Sequence, residues 1–283
     1  MRLKRRTLLA AALAAPAIAA RAADAPIRFG VGPLQPTPGD TKRVYEPFFT
    51  HLAKALNRPF ELVATTDWAG IAIALANDQV DCAWLGPWGY VLARAKSGCN
   101  ALAVVEYRGQ PIYHAIIMAR PNTTIKKFPE DAKGMSISFA DAGSTSGWLI
   151  PNYWFKTQGI DPHTYFKYHE GASHASQAIA VINEQVDLAT DFDRNLNALI
   201  DLGKVKADQV KIVWTSDPLP NDALAVRRGL DPATVEAIGK AALSIDAKTA
   251  ASIMPPNYTG WIAAKPDTYA MIENAGKALG KLS

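Results

Sequence analysis

The sequence reads ANDQVDCA at residues 76–83 and NEQVDLA at residues 183–189. Each stretch has the composition of a helix end and a polar turn, followed by Val-Asp at the start of an apolar strand. Neither stretch belongs to a fixed-period repeat, so the pair marks two separate occurrences of one supersecondary unit. The echo therefore predicts two similar lobes.

Strand-like and helix-like segments alternate on both sides of these stretches. Short apolar runs predict strands, and the amphipathic stretches between them predict helices. Strand 27–31 precedes helix 41–56, and strand 135–139 precedes helix 145–157. The alternation predicts an α/β fold in which each lobe is a mostly parallel sheet flanked by helices.

Ligands of such sheets bind beyond the carboxyl ends of the strands, and two lobes can turn those ends toward one cleft. The turns that join strands to helices are therefore the candidate site positions. They are residues 65–68, 86–90, 144–147, 171–174 and 191–193.

The turn at residues 140–147 reads ADAGSTSG and is rich in hydroxyl groups. It opens a helix, and the free backbone N–H groups and the dipole of a helix N-terminus attract anions. An ordinary Ser/Thr helix cap would have the same composition. On these residues alone, an oxyanion site and a cap are equally good interpretations.

The first residues carry an export signal. Residues 1–22 combine a basic start, an apolar run from Leu8 to Ala20 and the cleavage-type ending Ala20-Arg21-Ala22. The segment RRTLL at 5–9 also fits the twin-arginine pattern, which leaves both the general secretory and the twin-arginine routes open. We expect a periplasmic protein without a membrane-spanning helix.

Removal of this signal changes the charge. Residues 1–22 hold five basic and no acidic residues, so taking five positive charges from a formal net charge of +4 leaves −1. The basic pI therefore belongs to the signal, and nothing favours nucleic acid or a membrane surface as a partner.

The sequence contains two cysteines, Cys82 and Cys99. Cys82 is near the start of a predicted strand and Cys99 follows the next predicted helix, so both are expected at the same end of a sheet. An oxidising compartment allows a disulfide between them, and two buried free thiols are the alternative. Two cysteines alone do not indicate a metal or redox site.

Six motifs resemble the type II periplasmic binding proteins that take up phosphonates or phosphite for ABC importers. They are TDWAGI at 66–71, VDCAWLGP at 80–87, STSG at 144–147 with Pro151, GASH at 171–174, QVDLAT at 185–190 and PND at 220–222. The resemblance covers most of the chain after the signal. It implies two crossovers at a hinge, with lobe 1 formed by residues 23–115 plus 220–283 and lobe 2 by 116–219. It also implies a monomer that works with an inner-membrane ABC permease and has no cofactor, metal or catalytic residue.

The resemblance assigns ligand contacts to seven residues. Hydrogen bonds from the protein to the phosphorus-bound oxygens would come from five of them, and Asp222 would accept one from a protonated oxygen. Trp68 would face the remaining substituent. The five donors are Tyr113, Ser144, Thr145, Ser146 and His174.

A carboxylate in an oxyanion pocket repels an anion that brings no proton, so Asp222 predicts a protonated phosphorus oxyanion rather than sulfate. Relatives that bind 2-aminoethylphosphonate are expected to have an acidic residue where this sequence has Arg194, although Asp191 and Asp193 are close by and could substitute for it. Asp191 and Arg194 are therefore secondary candidates for ligand contact. Arg194 and Trp68 thus favour phosphite or a short alkylphosphonate. Inorganic phosphate would leave a hydroxyl unpaired against the Trp68 wall.

The sequence leaves three alternative functions. Binding of 2-aminoethylphosphonate or phosphate would keep the same transport role, and a ligand-sensing subunit of a membrane kinase would use the same fold. A hydrolase would need Ser144 or Ser146 in a triad with His174 and Asp222. The sequence has no nucleophile elbow, P-loop or dinucleotide fingerprint, and the spacing of His169 and His174 fits no standard metal site.

Overall fold

The structure is a computed structural model that describes residues 25–282. The predicted signal peptide, residues 1–22, lies outside the described residues. Across the described part of the chain, no helix combines the length and hydropathy needed to cross a bilayer.

The described elements alternate along the chain, as the sequence predicts. In chain order the strands are β1 (Ile27–Val31), β2 (Phe60–Ala64), β3 (Cys82–Leu85), β4 (Asn100–Tyr107), β5 (Ile112–Tyr113), β6 (Ala115–Ala119), β7 (Ser136–Ala140), β8 (Lys167–Ala172), β9 (Leu188–Phe192), β10 (Lys211–Thr215), β11 (Leu219–Pro220), β12 (Ala223–Val226) and β13 (Tyr258–Ala263). The α-helices are α1 (Pro38–Leu56), α2 (Trp68–Ala76), α3 (Pro87–Ser97), α4 (Ile150–Thr157), α5 (Pro162–Tyr165), α6 (His174–Ile182), α7 (Asp193–Asp201), α8 (Pro232–Leu243), α9 (Ala247–Ile253) and α10 (Ala270–Ala278).

These strands form two sheets and a ribbon. The first sheet has the order β13-β4-β12-β3-β1-β2, and the second has the order β10-β6-β9-β7-β8. We call the part built on the first sheet lobe 1 and the part built on the second sheet lobe 2. The short strands β5 and β11 pair with each other where the chain leaves lobe 1 and returns to it, with Tyr113 opposite Leu219. The exact division of the chain into lobes stays a prediction.

Most strands of each sheet run in the same direction, as predicted, but both sheets also contain antiparallel strands. In lobe 1, β1 is parallel to β2 and β3, whereas β12 is antiparallel to β3 and β4, and β13 to β4. In lobe 2, β7 is parallel to β8 and β9, whereas β6 is antiparallel to β9 and β10. The cause is the double crossover. A strand that enters a lobe from the hinge, such as β12 or β6, starts at the edge where the other strands end.

Helix starts follow local capping rules. The carboxylates of Asp67, Asp231 and Asp246 accept hydrogen bonds from backbone N–H groups in the first turns of α2, α8 and α9. Thr37 caps α1 in the same way, and Pro38 occupies its first turn, so α1 begins earlier than the predicted residue 41. Helix α2, which Asp67 caps, and helix α3, which has no side-chain cap, both start at the edge of the first sheet that faces lobe 2.

The first sheet separates the two cysteines. Cys82 packs with Trp84 and Phe48 on one face, and Cys99 packs with Leu85 and Trp88 on the other. Both thiols are free and buried, so the predicted disulfide is not formed in this structure. The sequence placed both residues at one end of the sheet but could not show that they lie on opposite faces.

We expect both thiols to be unreactive in the native protein. Burial raises the pKa of Cys99 to about 12 and that of Cys82 further, so almost no thiolate is present near neutral pH. Titration with a thiol reagent should give no fast reaction in buffer and two thiols per chain in denaturant. Recovery of no thiol in denaturant, with two after reduction, would establish a bridge instead.

The echoed Val-Asp motifs form matching structures. Asp78 and Glu184 have positive φ angles of 57° just after helices α2 and α6. The following aspartates tie neighbouring strands together. Asp81 accepts a hydrogen bond from the backbone N–H of Arg28 in β1, and Asp187 accepts one from that of Ser136 in β7. The repeated sequence therefore encodes one helix-turn-strand junction in each lobe.

Replacement of Asp81 by asparagine should destabilise lobe 1. Burial opposes ionisation of Asp81, but hydrogen bonds and charge from Arg28 and Arg227 outweigh it and lower the pKa to about 2. The native pKa is below that of the unfolded chain, so this stabilisation is present above the unfolded value and is lost as pH falls toward 2. We expect D81N to lose about 2 kcal/mol at neutral pH in urea unfolding. The exposed substitution D208N should change little, and an equal loss in both variants would contradict this role.

Candidate functional site

A small cavity lies between the two lobes, at the carboxyl ends of β3, β7 and β9. Its volume is about 20 Å³, counted as space for the centres of water molecules, which corresponds to one or two waters. All seven residues predicted to bind ligand line it: Trp68, Tyr113, Ser144, Thr145, Ser146, His174 and Asp222. The structure thus brings together residues from both lobes and the hinge. Their contact with a ligand stays a prediction.

The hydroxyl-rich turn begins a helix, as predicted, but its first turn is wide. Residues Thr145–Leu149 form a π-helical turn that continues into α4. The Ser144 hydroxyl accepts a hydrogen bond from the Gly147 N–H (3.1 Å) and so acts as the N-cap. The cap interpretation is therefore confirmed. The anion-site interpretation stays a prediction that is compatible with the cap, because Thr145 and Ser146 line the cavity.

His174 is fixed by hydrogen bonds on both ring nitrogens. Its Nδ1 lies 2.7 Å from Asp191 Oδ1, and its Nε2 lies 2.8 Å from Ser144 Oγ. A carboxylate can only accept, so Nδ1 carries a proton and donates to Asp191. Donation from Nε2 to an oxyanion therefore requires the doubly protonated ring, whose positive charge Asp191 balances.

Asp191 does not line the cavity. It is fully buried, and its second oxygen accepts a hydrogen bond of 2.8 Å from Asn195 Nδ2. The expectation that Asp191 could hold a ligand ammonium was wrong, because both of its oxygens are already engaged behind the His174 ring. Its observed position is that of an orienting partner for His174.

The structure does not form a triad of Ser144 or Ser146 with His174 and Asp222. Asp222 makes no hydrogen bond to His174 among the described residues; Asp191 takes that place in an Asp191–His174–Ser144 relay. The Ser144 oxygen also accepts the Gly147 N–H, so the hydroxyl serves as a helix cap. The relay orients donors at the cavity, which an anion receptor needs as much as an acyl-transfer enzyme does.

Asp222 lies where the chain re-enters lobe 1 after the second crossover. One of its carboxylate oxygens accepts a hydrogen bond of 3.1 Å from Trp84 Nε1, and the other lies 3.5 Å from Arg194 Nη2. Arg194, the other secondary candidate, also lines the cavity. Burial alone would lower the pKa of Arg194, but nearby Tyr258, Asp222 and Tyr113 outweigh burial and raise it, so the guanidinium stays protonated.

Trp68 and Tyr113 complete the walls. The Trp68 ring packs against Gly32, where a β-carbon would come within 2.6 Å of it, and lies beside Gly86. It meets the His174 ring edge-on with centroids 6.5 Å apart. Burial raises the pKa of the Tyr113 phenol, which therefore remains a neutral hydrogen-bond donor. The cavity lining thus combines aromatic rings with polar groups.

Hydrogen bonds from Trp88 and the packing of Gly143 join the lobes beside the cavity. The N–H of Trp88 in α3 donates to the Thr145 hydroxyl (2.8 Å), and its indole N–H donates to the Ala142 carbonyl (3.1 Å). The backbone of Gly143 packs against that of Trp68 and Ala69, so a β-carbon at Gly143 would lie 2.8 Å from the Trp68 carbonyl carbon. These contacts define a closed cleft.

Sequence reasoning missed several residues around the cavity. Gly86 and Phe192 line it and belong to or border the predicted turns, so their positions were a usable signal. Leu34 also lines it, and Trp84 supports Asp222 from within the sheet. Neither of these two has a local signal, because each reaches the site only through the tertiary fold.

The comparisons with known proteins agree with this geometry. The family model described as the periplasmic substrate-binding protein of the phosphonate ABC transporter matches residues 29–269. The chain belongs to this family. The predicted resemblance is therefore confirmed, as is the two-lobed fold.

Two curated members of this phosphonate-binding family are similar to the chain. One is the phosphate-import protein PhnD of Mycolicibacterium smegmatis, 29% identical over 208 residues, which cover 70% of this chain and 65% of the relative. The other is the phosphonates-binding periplasmic protein of Escherichia coli K12, 28% identical over 201 residues, which cover 70% of this chain and 60% of the relative. The chain thus matches somewhat less than two thirds of the length of each.

Two solved structures share the fold. A binding protein component of an ABC phosphonate transporter from Pseudomonas aeruginosa superposes with a TM-score of 0.81 at 27% identity, covering 91% of this chain and 87% of that one. PhnD1 from Prochlorococcus marinus in complex with methylphosphonate gives 0.80 at 17% identity, covering 90% and 98%. The second likeness shows the fold alone.

Proposed function

We propose that the protein is the periplasmic ligand-binding component of an ABC importer for a small phosphorus oxyanion, either phosphite or a short alkylphosphonate. The convergence of oxyanion donors from both lobes on one enclosed cavity carries this proposal. Family membership and the two curated relatives, one of which imports phosphate and one of which binds phosphonates, support the same ligand class.

The donors fit a negatively charged group that sits at the start of the π-helical turn. The Thr145 and Ser146 hydroxyls, the first N–H groups of the turn and the Tyr113 phenol would supply neutral donors, and His174 Nε2 would supply a charged one when the ring carries both protons. Hydrogen bonds to a charged group contribute about 1.5–3 kcal/mol each when they replace water fully. A few such hydrogen bonds in a buried site are enough for strong binding of the anion.

Asp222 is the proposed selectivity residue for a protonated oxyanion. Its Oδ1 is not saturated by the 3.5 Å contact to Arg194 and can accept the P–OH proton of a phosphite or phosphonate monoanion. Sulfate has no such proton near neutral pH and would leave this carboxylate facing a like charge. Because Arg194 partly neutralises the Asp222 charge, Asp222 would discriminate between protonated and unprotonated oxyanions less strongly than an isolated carboxylate.

The remaining substituent on phosphorus would face Trp68. A P–H or methyl group suits an aromatic wall, whereas the additional hydroxyl of phosphate would lose a hydrogen bond there. The small cavity volume likewise favours the smallest members of the class. Phosphate and 2-aminoethylphosphonate are the alternative ligands that the experiment must separate.

Ligand capture would proceed by closure of the two lobes about the β5–β11 ribbon. A ligand that contacts both lobes stabilises the closed state by its differential affinity. Thr145 couples the two events, since it lines the cavity and also accepts the Trp88 N–H from lobe 1. The closed protein would then deliver its ligand to the permease.

The proposal is tested by a thermal-shift panel with phosphite, methylphosphonate, 2-aminoethylphosphonate, phosphate and sulfate. A ligand at one hundred times its dissociation constant stabilises by about 2.7 kcal/mol, or about 5–10 °C for a chain of this size. We expect such shifts for phosphite or methylphosphonate. Absence of a shift with every phosphorus oxyanion would overturn the proposal, and a strong sulfate shift would overturn the role of Asp222. Release of product from phosphonates or esters would favour the hydrolase alternative.

A further inference from the structure

The Arg194 side chain occupies a cage built from both lobes and the hinge. Arg194 lies in the first turn of helix α7 in lobe 2, and it is only 6% exposed. Aromatic rings surround its guanidinium carbon at centroid distances of 4.6 Å for Tyr113, 5.3 Å for Phe192, 5.7 Å for Tyr107 and 5.8 Å for Tyr258. The Asp222 carboxylate adds a negative charge on one side.

The chemistry of this enclosure is that of a cation site. Aromatic faces attract a cation through their quadrupoles, and the attraction is strongest where water is excluded. The guanidinium makes few directional contacts there. Its buried Nε and Nη1 atoms have no hydrogen-bond partner among the described residues. Charge and aromatic contact, rather than a fixed hydrogen-bond pattern, therefore hold Arg194, and such a cage would accept other cations of similar size.

The cage adjoins the path that a ligand substituent would take. Arg194 lines both the small oxyanion cavity and a larger cavity of about 420 Å³ that lies between the lobes. Leu34, Trp68 and His174 are also shared by the two cavities. A side group on phosphorus that extends from the small cavity toward the large one would therefore run along the residues that the two cavities share, which include Arg194.

We propose that Arg194 is a specificity-determining residue whose guanidinium is an internal cation filling a cation cage beside the oxyanion pocket. The protein supplies the positive charge itself, so its ligand is a phosphorus oxyanion without an ammonium group. Removal of the guanidinium would open the cage to the ammonium of a zwitterionic phosphonate. This inference rests on the proposed function for its ligand class, whereas the existence of the cage does not depend on it.

The matched ligands are 2-aminoethylphosphonate and propylphosphonate, which differ by an ammonium in place of a terminal methyl group. Calorimetry would compare wild type, Arg194→Ala and Arg194→Gln. We expect the affinity ratio of the amino ligand to propylphosphonate to rise about tenfold or more in Arg194→Ala. Arg194→Gln keeps a neutral side chain of similar length inside the cage and should show no such rise. An unchanged ratio in Arg194→Ala, or wild type that prefers the amino ligand, would overturn the proposal.

A second measurement needs no phosphonate. Methylguanidinium at millimolar concentration should raise the melting temperature of Arg194→Ala by about 2 °C or more and leave wild type and Arg194→Gln unchanged or slightly lowered. If Arg194→Ala does not fold, refolding with and without methylguanidinium gives the same comparison. Rescue supports the cage even if wild type binds no phosphorus oxyanion, an outcome that would refute only the proposed function. Lack of rescue together with an unchanged ligand ratio refutes the cage.

Discussion

Thr145→Val should weaken binding of phosphite or methylphosphonate by about 100- to 1000-fold. The substitution keeps the shape of the side chain but removes the hydroxyl that would contact the ligand and that accepts the Trp88 N–H across the cleft. Loss of a hydrogen bond to a charged group costs about 1.5–3 kcal/mol, and a buried unpaired N–H costs about 1–3 kcal/mol. Because the Trp88 N–H is hydrated in an open cleft, its cost applies specifically to closure. Calorimetric titration measures the combined loss.

Thr145→Ser is the matched control. Serine keeps the hydroxyl and loses one methyl group, so we expect its affinity to fall less than about tenfold. The melting temperatures of both ligand-free variants give the effect on stability separately. Equal affinity of Thr145→Val and wild type would show that the hydroxyl contributes neither to the ligand site nor to closure.

Gly143→Ala should hinder closure and lower affinity by about 10- to 100-fold. The added β-carbon would press on the backbone of Trp68 and Ala69 in the other lobe, and backbone atoms cannot rotate away as a side chain can. Overpacking of this kind costs about 1–3 kcal/mol. The expected signature is weaker ligand binding together with a larger radius of gyration in solution scattering.

Gly39→Ala in helix α1 is the comparison for this variant. A β-carbon at Gly39 meets nothing closer than the Thr37 hydroxyl at 3.8 Å, so affinity and radius should stay at their wild-type values. If Gly143→Ala binds ligand as tightly as wild type and scatters identically, the closed contact is not required for binding.

The sequence predicted most of lobe 2 because its signals are local. The Val-Asp strand starts, the hydroxyl-rich turn and the apolar strands each lie within a few residues, and the structure contains each of them. The prediction for lobe 1 was less complete for the residues that follow the second crossover. Strand β12 has only four residues, and nothing local reveals that it will lie antiparallel to β3 and β4. The reversed direction of this strand was not predicted for this reason.

Helix α5 shows a different limit. Residues 165–168 have the composition of a strand, yet residues 162–165 are helical and the strand begins at residue 167. Asp161 and Pro162 form a helix start, and this signal prevails over the strand-like composition of the following residues. Local capping chemistry decided the boundary, and the hydrophobic pattern did not.

The candidate site likewise contains residues with a local sequence signal and residues that only the tertiary fold brings together. Residues 144–146 could be predicted as an anion turn from their own composition. The cage around Arg194 could not, because its rings come from β4, β5, β9 and β13, which are far apart in the sequence. The pairing of Asp191 with His174 likewise depends on how β9 and α6 pack. Tertiary placement, rather than residue type, gives these side chains their roles.

The position of Trp88 gives the protein a built-in optical reporter. Its ring is wedged against Gly276 of helix α10, where a β-carbon would come within 2.5 Å of it, so it cannot swing freely. Opening of the cleft would leave the ring in place but transfer its indole N–H from the Ala142 carbonyl to water. Its emission spectrum would then follow lobe movement directly. With seven tryptophans in the sequence, the difference between wild type and Trp88→Phe isolates that signal, and uptake kinetics become readable without any attached dye.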